Sequence, residues 1–540
     1  MPLPLALAIA LPLLGALGLL GLSLIPRFCP YARYVALAAA GFTTILILVF
    51  RWLAPVRFIP SLWEPVSLFG ATLILQSDAI MQPLAFVLAL TTCSALLATL
   101  GRADELPSRL AATILALLSA GLVALWAANP LTMIAGWAIY DLLQAVGCIT
   151  AEGSTRAAVR GLVMGSLATL LLWAGTMLSY EGTSSELWSL MEPGQAQLTL
   201  WAAAGILRLW AYPFHLAAPD DLAITSPVVI PLLLGPITGW GLWLRLASAN
   251  GGAIPGGAWI LILAAATLAL GGFFAWSCKT ARSALPWIGM GATGIVLLAA
   301  QLAKGSAVTV ISAGSAAWVL GIALLFLNDG LQQESPWWNL PALFGAMALL
   351  GMPLTLGFVA GATCIGEIAR AGQLGWGVAF FVGNLFLLSA LVRRLLLPAS
   401  FPFPKQRWVI LVRLVGQGLP ALLLIVAGLY PPLLIGDAQP PSIATLFALP
   451  GLGGWLLWAV SLAGGGVLAW QDGNLRPRMT LLLSAAHDLL RLDWCYDAVL
   501  GALERGLSVL QAADEVVGGA GAFLWSWLLF LIILLAWGGK

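Results

Sequence analysis

Charged side chains are what this sequence lacks most. Aspartate, glutamate, lysine and arginine supply 9% of its 540 residues, and only two histidines join them. Soluble domains carry about 25% charged residues, so a water-soluble enzyme is excluded. With 61% hydrophobic residues and a mean hydropathy of +0.99, the solvent of this chain is a bilayer. A net charge of +2 with no basic stripe excludes nucleic acid as a partner, because nothing is there to neutralise phosphates. The six cysteines lie far apart without CxxC spacing, which argues against a disulfide framework, a zinc site or an iron-sulfur cluster. No nucleotide, flavin or metal motif occurs either, so the expectation is no cofactor, no metal and no catalytic residue in this chain. The first apolar run, Leu3 to Ile25, lacks a basic leader and exceeds a signal-peptide core, and reads as a retained helix.

What is present is a series of apolar runs, each near the ~20 residues needed to cross a hydrocarbon core. They predict helices over 3–25, 34–53, 79–100, 108–127, 130–150, 157–179, 198–217 and 226–247. Further runs follow over 256–277, 284–303, 306–328, 339–363, 374–397, 408–436, 452–470 and 519–538. The fold class is therefore all-α integral membrane, with 14–16 spans. Counted in alternate loops, lysine and arginine divide seventeen against five, which places the N terminus outside and the richer loops in the cytoplasm. The location expected is a cell (inner or cytoplasmic) membrane, with lipids as immediate partners. From Arg476 to Val517 charges recur among Leu482, Leu489, Leu490, Leu500, Leu503, Leu507 and Leu510. That pattern suggests an amphipathic helix along the cytoplasmic surface or against a partner, or else a plain helical linker.

Ionisable groups inside a span cost about 2.5–3.5 kcal/mol each on insertion scales, so each is a functional hypothesis. Asp141 lies within the fifth helix and Arg208 within the seventh. They read either as a packing salt bridge or as part of a proton pathway. Pro213 breaks the seventh helix just before His215, whose imidazole suits a proton relay or simply ends a helix. Pro353 and Gly357 interrupt the twelfth in the run Leu350-Gly-Met-Pro-Leu-Thr-Leu-Gly-Phe. Paired broken helices point to inverted repeats with an ion site at mid-membrane; ordinary proline kinks are the alternative.

The stretch Arg208…Tyr212-Pro-Phe-His-Leu…Pro219-Asp220…Ser226-Pro227…Pro236…Arg245 resembles a family motif. The family is that of the antiporter-like subunits of respiratory complex I (N-, M- and L-type), shared with Mrp-type antiporters and membrane-bound hydrogenases. Ala157-Ala-Val-Arg160-Gly-Leu-Val-Met-Gly-Ser-Leu-Ala-Thr, Arg282-Ser-Ala-Leu-Pro-Trp and Gly351-Met-Pro-Leu-Thr-Leu-Gly-Phe match further family patterns in order, over roughly residues 75 to 400. Leu492-Asp-Trp-Cys-Tyr-Asp resembles the L-type tail, although the lateral helix is much shorter here.

The resemblance implies two inverted five-helix bundles, 108–250 and 251–400. Helices 1–3 precede them over 1–107, helices 14–15 follow over 401–475, and a lateral helix with a last span fills 476–540. It also implies work beside other antiporter-like membrane subunits of a complex I-type NADH:quinone oxidoreductase or a related complex. An Mrp-like or other ion-coupled system, or a stand-alone secondary transporter, is the alternative. The family's proton carriers are largely replaced: Ala138 stands for the fifth-helix glutamate, Arg208 for the seventh-helix lysine, Pro236 or Ile237 for the eighth-helix lysine, and Gly361 for the twelfth-helix lysine. The remaining candidates for a proton pathway are Asp141, Arg208, His215, Arg160 and Glu367. Arginine keeps its proton at any working pH, so degenerate or reduced proton translocation is expected.

Overall fold

The computed structural model describes residues 3–50, 55–59, 72–101, 107–151, 155–178, 187–219, 226–435 and 442–498, with isolated positions beyond. The first seven helices are α1 Leu3–Ser23, α2 Ala32–Phe50, α3 Gln82–Leu100, α4 Ser108–Leu125, α5 Pro130–Thr150, α6 Thr155–Met177 and α7 Gln195–Arg208. There follow α8 Pro236–Ala249, α9 Ala258–Ser277, α10 Leu285–Leu302, α11 Ala307–Leu327, α12 Leu340–Leu349 and α13 Phe358–Ala371. The last are α14 Leu374–Leu395, α15 Arg407–Leu429, α16 Ile443–Ala448 and α17 Gly451–Leu490. A small antiparallel ribbon, β1 Val56–Phe58 with β2 Leu75–Ser77, is the one sheet among the described residues. Thirteen described segments are long and apolar enough to cross a bilayer.

The chain divides into two compact units, residues 1–474 and 475–540. Within the first, α8 and α11 are buried along nearly their whole length, whereas α1 and α6 turn Leu14, Leu17, Val163 and Leu170 outward. Apolar side chains on the outside of a helical bundle are what a lipid solvent demands. Small residues let the inner helices meet closely: a Cβ on Gly271 of α9 would lie 2.4 Å from the Gly291 nitrogen of α10.

Local chemistry sets the helix ends. Asn129 caps α5 by accepting from the Thr132 amide at 2.9 Å, and Pro130 takes the first helical position, where no amide is missed. At the other end of the bundle, Arg393 donates to the carbonyls of Trp276 and Cys278 that close α9, at 3.3 and 2.7 Å. Arg394 and Gln417 serve α11 in the same way, donating to Leu325 O and Leu327 O at 3.2 and 2.9 Å. These donors answer both the orphan carbonyls and the negative end of each helix dipole.

Two expectations need correction. Arg245 and Arg413, read from the sequence as loop charges, lie inside α8 and α15 and are buried in ion pairs with Asp78 and Asp329. The expected break between a span ending at 470 and a surface helix starting at 476 is also absent. A single helix runs from Gly451 to Leu490 with Pro477 inside it. Asp472, Asn474, Arg476 and Arg478 mark a change of polarity, which does not stop a helix, and one proline kinks rather than ends it. The expected span over 519–538 and most of the amphipathic stretch after 498 lie outside the described residues.

Candidate functional site

The seventh span breaks in the middle of the bundle. Its helix, α7, ends at Arg208; Trp210 takes a left-handed conformation (φ 54°) and the Tyr212–Pro213 bond is cis. The Tyr212 amide freed by the break donates to Thr267 Oγ1 of α9 at 3.1 Å, which keeps a buried backbone group satisfied. A short 3-10 turn, His215–Ala217, follows, and a second 3-10 run, Pro227–Leu234, leads into α8.

Arg208 points from this broken end to Asp141 of α5. Its Nη1 donates to Oδ1 at 2.5 Å and its Nη2 to Oδ2 at 2.6 Å, the parallel fork that guanidinium and carboxylate planes allow. Both side chains are only 5% exposed, so this pair is one of the costliest polar features of the interior. The surroundings are fitted to it. Nη2 also donates to Thr169 Oγ1 at 3.0 Å, and the Trp137 ring lies 4.2 Å from the guanidinium carbon. Gly165 makes room for the carboxylate, since a Cβ there would stand 2.5 Å from Asp141 Oδ2.

The other candidates from the sequence are placed elsewhere. His215 is buried, with its ring stacked on Tyr212 at 5.5 Å and packed against Phe274 and Trp287 at 5.7 and 5.4 Å. Those neighbours come from the break itself, α9 and α10, and the turn that carries His215 also packs on α6, which borders the ion pair. Arg160 stands five residues before Gly165 on α6, about 7.5 Å along the axis. Its neighbour Gly161 lies against the Ala217 carbonyl of the 3-10 turn. Glu367 pairs with Arg370 near the C-terminal end of α13, in a partly exposed bridge. It is ten residues from Gly357, about 15 Å along the helix, and so does not reach the second break.

That second break lies between α12 and α13. Gly351 ends α12 with φ 66°, and the Met352 amide bonds back to Met347 O at 2.9 Å, a glycine-terminated helix end. Pro353 and Gly357 sit in the connection, which Leu356 N ties to Leu424 O of α15 at 3.2 Å. Among the described residues there is no group of three or more His, Cys, Asp or Glu side chains able to hold a metal ion.

Two buried ion pairs escaped the sequence reading: Asp78 with Arg245, and Asp329 with Arg413 at 2.9 Å. Each acid lies just outside a span and each base one or two turns inside another, so neither interrupts an apolar run. Their signal was at most an unequal pairing of single acids with single bases across distant loops.

A broken seventh span, a broken twelfth span and an ion pair at the first break are the geometry against which known structures can be compared. A chain of the Mrp complex from Dietzia sp. superposes with a TM-score of 0.76 over 99% of this chain and 62% of that one, at 18% identity. A chain of the archaeal membrane-bound sulfane sulfur reductase, a respiratory membrane complex, gives 0.71 over 99% of this chain and 100% of the other, at 17% identity. The chain has the antiporter-like fold. A chain of respiratory complex I from Thermus thermophilus shares this antiporter-like fold with a TM-score of 0.62, over 79% of this chain and 98% of its own, at 19% identity. In sequence, NADH-quinone oxidoreductase subunit N of Cupriavidus taiwanensis is 27% identical over 263 residues, 41% of this chain. This chain spans about half the length of that curated relative, 53%. No protein-family model matches it.

Proposed function

We propose that this chain is an antiporter-like membrane subunit of a complex I-type or related multisubunit membrane complex, with a reduced proton route confined to its first bundle. The observation that carries the reading is the Asp141–Arg208 pair, held at the broken end of α7 inside a fold that covers 99% of the chain in its Mrp and sulfur-reductase likenesses. Asp141 is the titratable member; Arg208 fixes its position and charge without giving up a proton. His215, at the same break, supplies a second titratable group on the side of α9 and α10. The chain's partners are then other membrane subunits and lipids, and redox cofactors belong to those partners.

The orientation proposed is N terminus outside and the amphipathic lateral stretch that begins at Arg476 at the cytoplasmic face of the cell membrane. With Arg245 and Arg413 withdrawn from the loop tally, the remaining loop charges still divide sixteen against four. The test is proton translocation by the assembled native complex carrying Asp141→Asn. A lowered proton yield with assembly intact supports the reading. An unchanged yield reduces the pair to a packing bridge.

A further inference from the structure

The two broken spans differ in what fills them. Around the first stand Asp141, Arg208, Thr169 and His215. The spans of the second bundle carry no Asp, Glu, Lys, Arg or His over Ala258–Ser277, Leu285–Leu302, Ala307–Leu327, 340–365 and 374–391, and α15, which packs on α12, keeps Arg413 in its pair with Asp329. The nearest acid on the broken span, Glu367, is bound to Arg370 at the helix end.

The backbone closes the second break on itself. A Cβ on Gly361 would stand 2.5 Å from Gly351 O, one on Gly351 2.8 Å from the Gly361 Cα, and one on Gly357 1.9 Å from Ala348 O. Since every one of those neighbours is main chain, none can swing aside. The cavity beside this crossing is lined by Ala292, Val296, Gly314, Trp318, Leu349 and Ala360, with room for about one water. Of the hydroxyls on these helices, Ser315 donates to Ile311 O and Thr363 to Val359 O at 2.7 Å, while those of Thr293 and Ser312 are buried without a hydrogen-bond partner.

We propose that the α12–α13 crossing is a closed barrier to protons and sodium ions, leaving the first bundle to carry whatever ion movement the chain supports. An ion entering the crossing would lose its hydration with no charged side chain to replace it. This deepens the reading above by naming where the route is shut, and it rests on geometry independent of the complex to which the chain belongs.

A native reporter is in place. Cys364, three residues after Gly361, is fully buried on α13. The full chain in its own membranes is treated with a small cationic methanethiosulfonate, and modification at Cys364 is read by peptide mass spectrometry. Ala292→Cys and Ala360→Cys report on the cavity wall, and Leu374→Cys, at an exposed site, sets the reference rate. The barrier predicts rates at Cys364 and both wall cysteines below about one-hundredth of the reference. A faster rate at Cys364, or at either wall cysteine in a chain that assembles normally, overturns it. Such a result would leave the subunit assignment standing, since assembly is measured separately.

Discussion

Replacing Asp141 with asparagine leaves the shape of α5 almost unchanged and removes one charge. In the native protein that charge meets both Nη atoms of Arg208, at 2.5 and 2.6 Å, with both side chains 5% exposed. Breaking a buried pair by removing one partner costs about 3–5 kcal/mol, because the surviving ion is left without its counter-charge. Some compensation remains: Thr169 still accepts from Nη2, Trp137 still lies beneath the guanidinium, and asparagine keeps one carbonyl. The expected loss is therefore about 3 kcal/mol, the lower end of that range.

Removing the guanidinium as well, in Asp141→Asn with Arg208→Met, takes away the stranded charge and should return about 2 kcal/mol, since apolar replacements of buried pairs are often near neutral. Equilibrium unfolding of the four proteins in mixed micelles closes the double-mutant cycle. An Asp141→Asn cost under about 1 kcal/mol, or effects that simply add in the double variant, would refute the claim that the pair is a coupled, desolvated unit.

Gly165→Ala drives a methyl into the Asp141 carboxylate and should cost about 1–3 kcal/mol in the same unfolding assay, with no new polar contact to offset it. Gly357→Ala, whose Cβ would meet a backbone carbonyl, should cost about 3 kcal/mol or more and lower the thermal midpoint. Gly18→Ala on α1, with open space around it, should stay within about 0.5 kcal/mol of the native protein. Asp329→Asn strands Arg413 and should cost about 3 kcal/mol, read by the same melt.

The spans were legible because a bilayer demands a run of apolar residues, and α5, α10 and α11 fall within a residue or so of where that demand placed them. Asp141 and Arg208 were legible for the same reason reversed: a charge within such a run stands out. Asp78, Arg245, Asp329 and Arg413 were not, because within two turns of a helix end a buried partner and a solvated loop charge look alike. Arg393 and Arg394 illustrate the point. They count as loop charges for orientation, yet they cap α9 and α11.

His215 was legible as a polar residue at a break. Its ring contacts with Phe274 and Trp287 depend on which helices the fold brings beside that break, and spacing along one chain does not encode that. The sealing of the second break was half legible: its lack of charge is plain in the sequence, but the backbone contact of Gly351 with Gly361 is a property of the folded pair. The helix Gly451–Leu490 was misread because polarity was taken for a boundary where the helix geometry simply continues.

The central claim is that this chain works as one antiporter-like subunit among others. It is tested most directly by purifying the full chain from its native membranes in mild detergent and determining the composition of what comes with it. The account predicts a stable assembly containing further membrane subunits in fixed ratio, one or more of them antiporter-like. A chain that purifies as a lone monomer, with its ion pair intact and no partner in constant proportion, would contradict it.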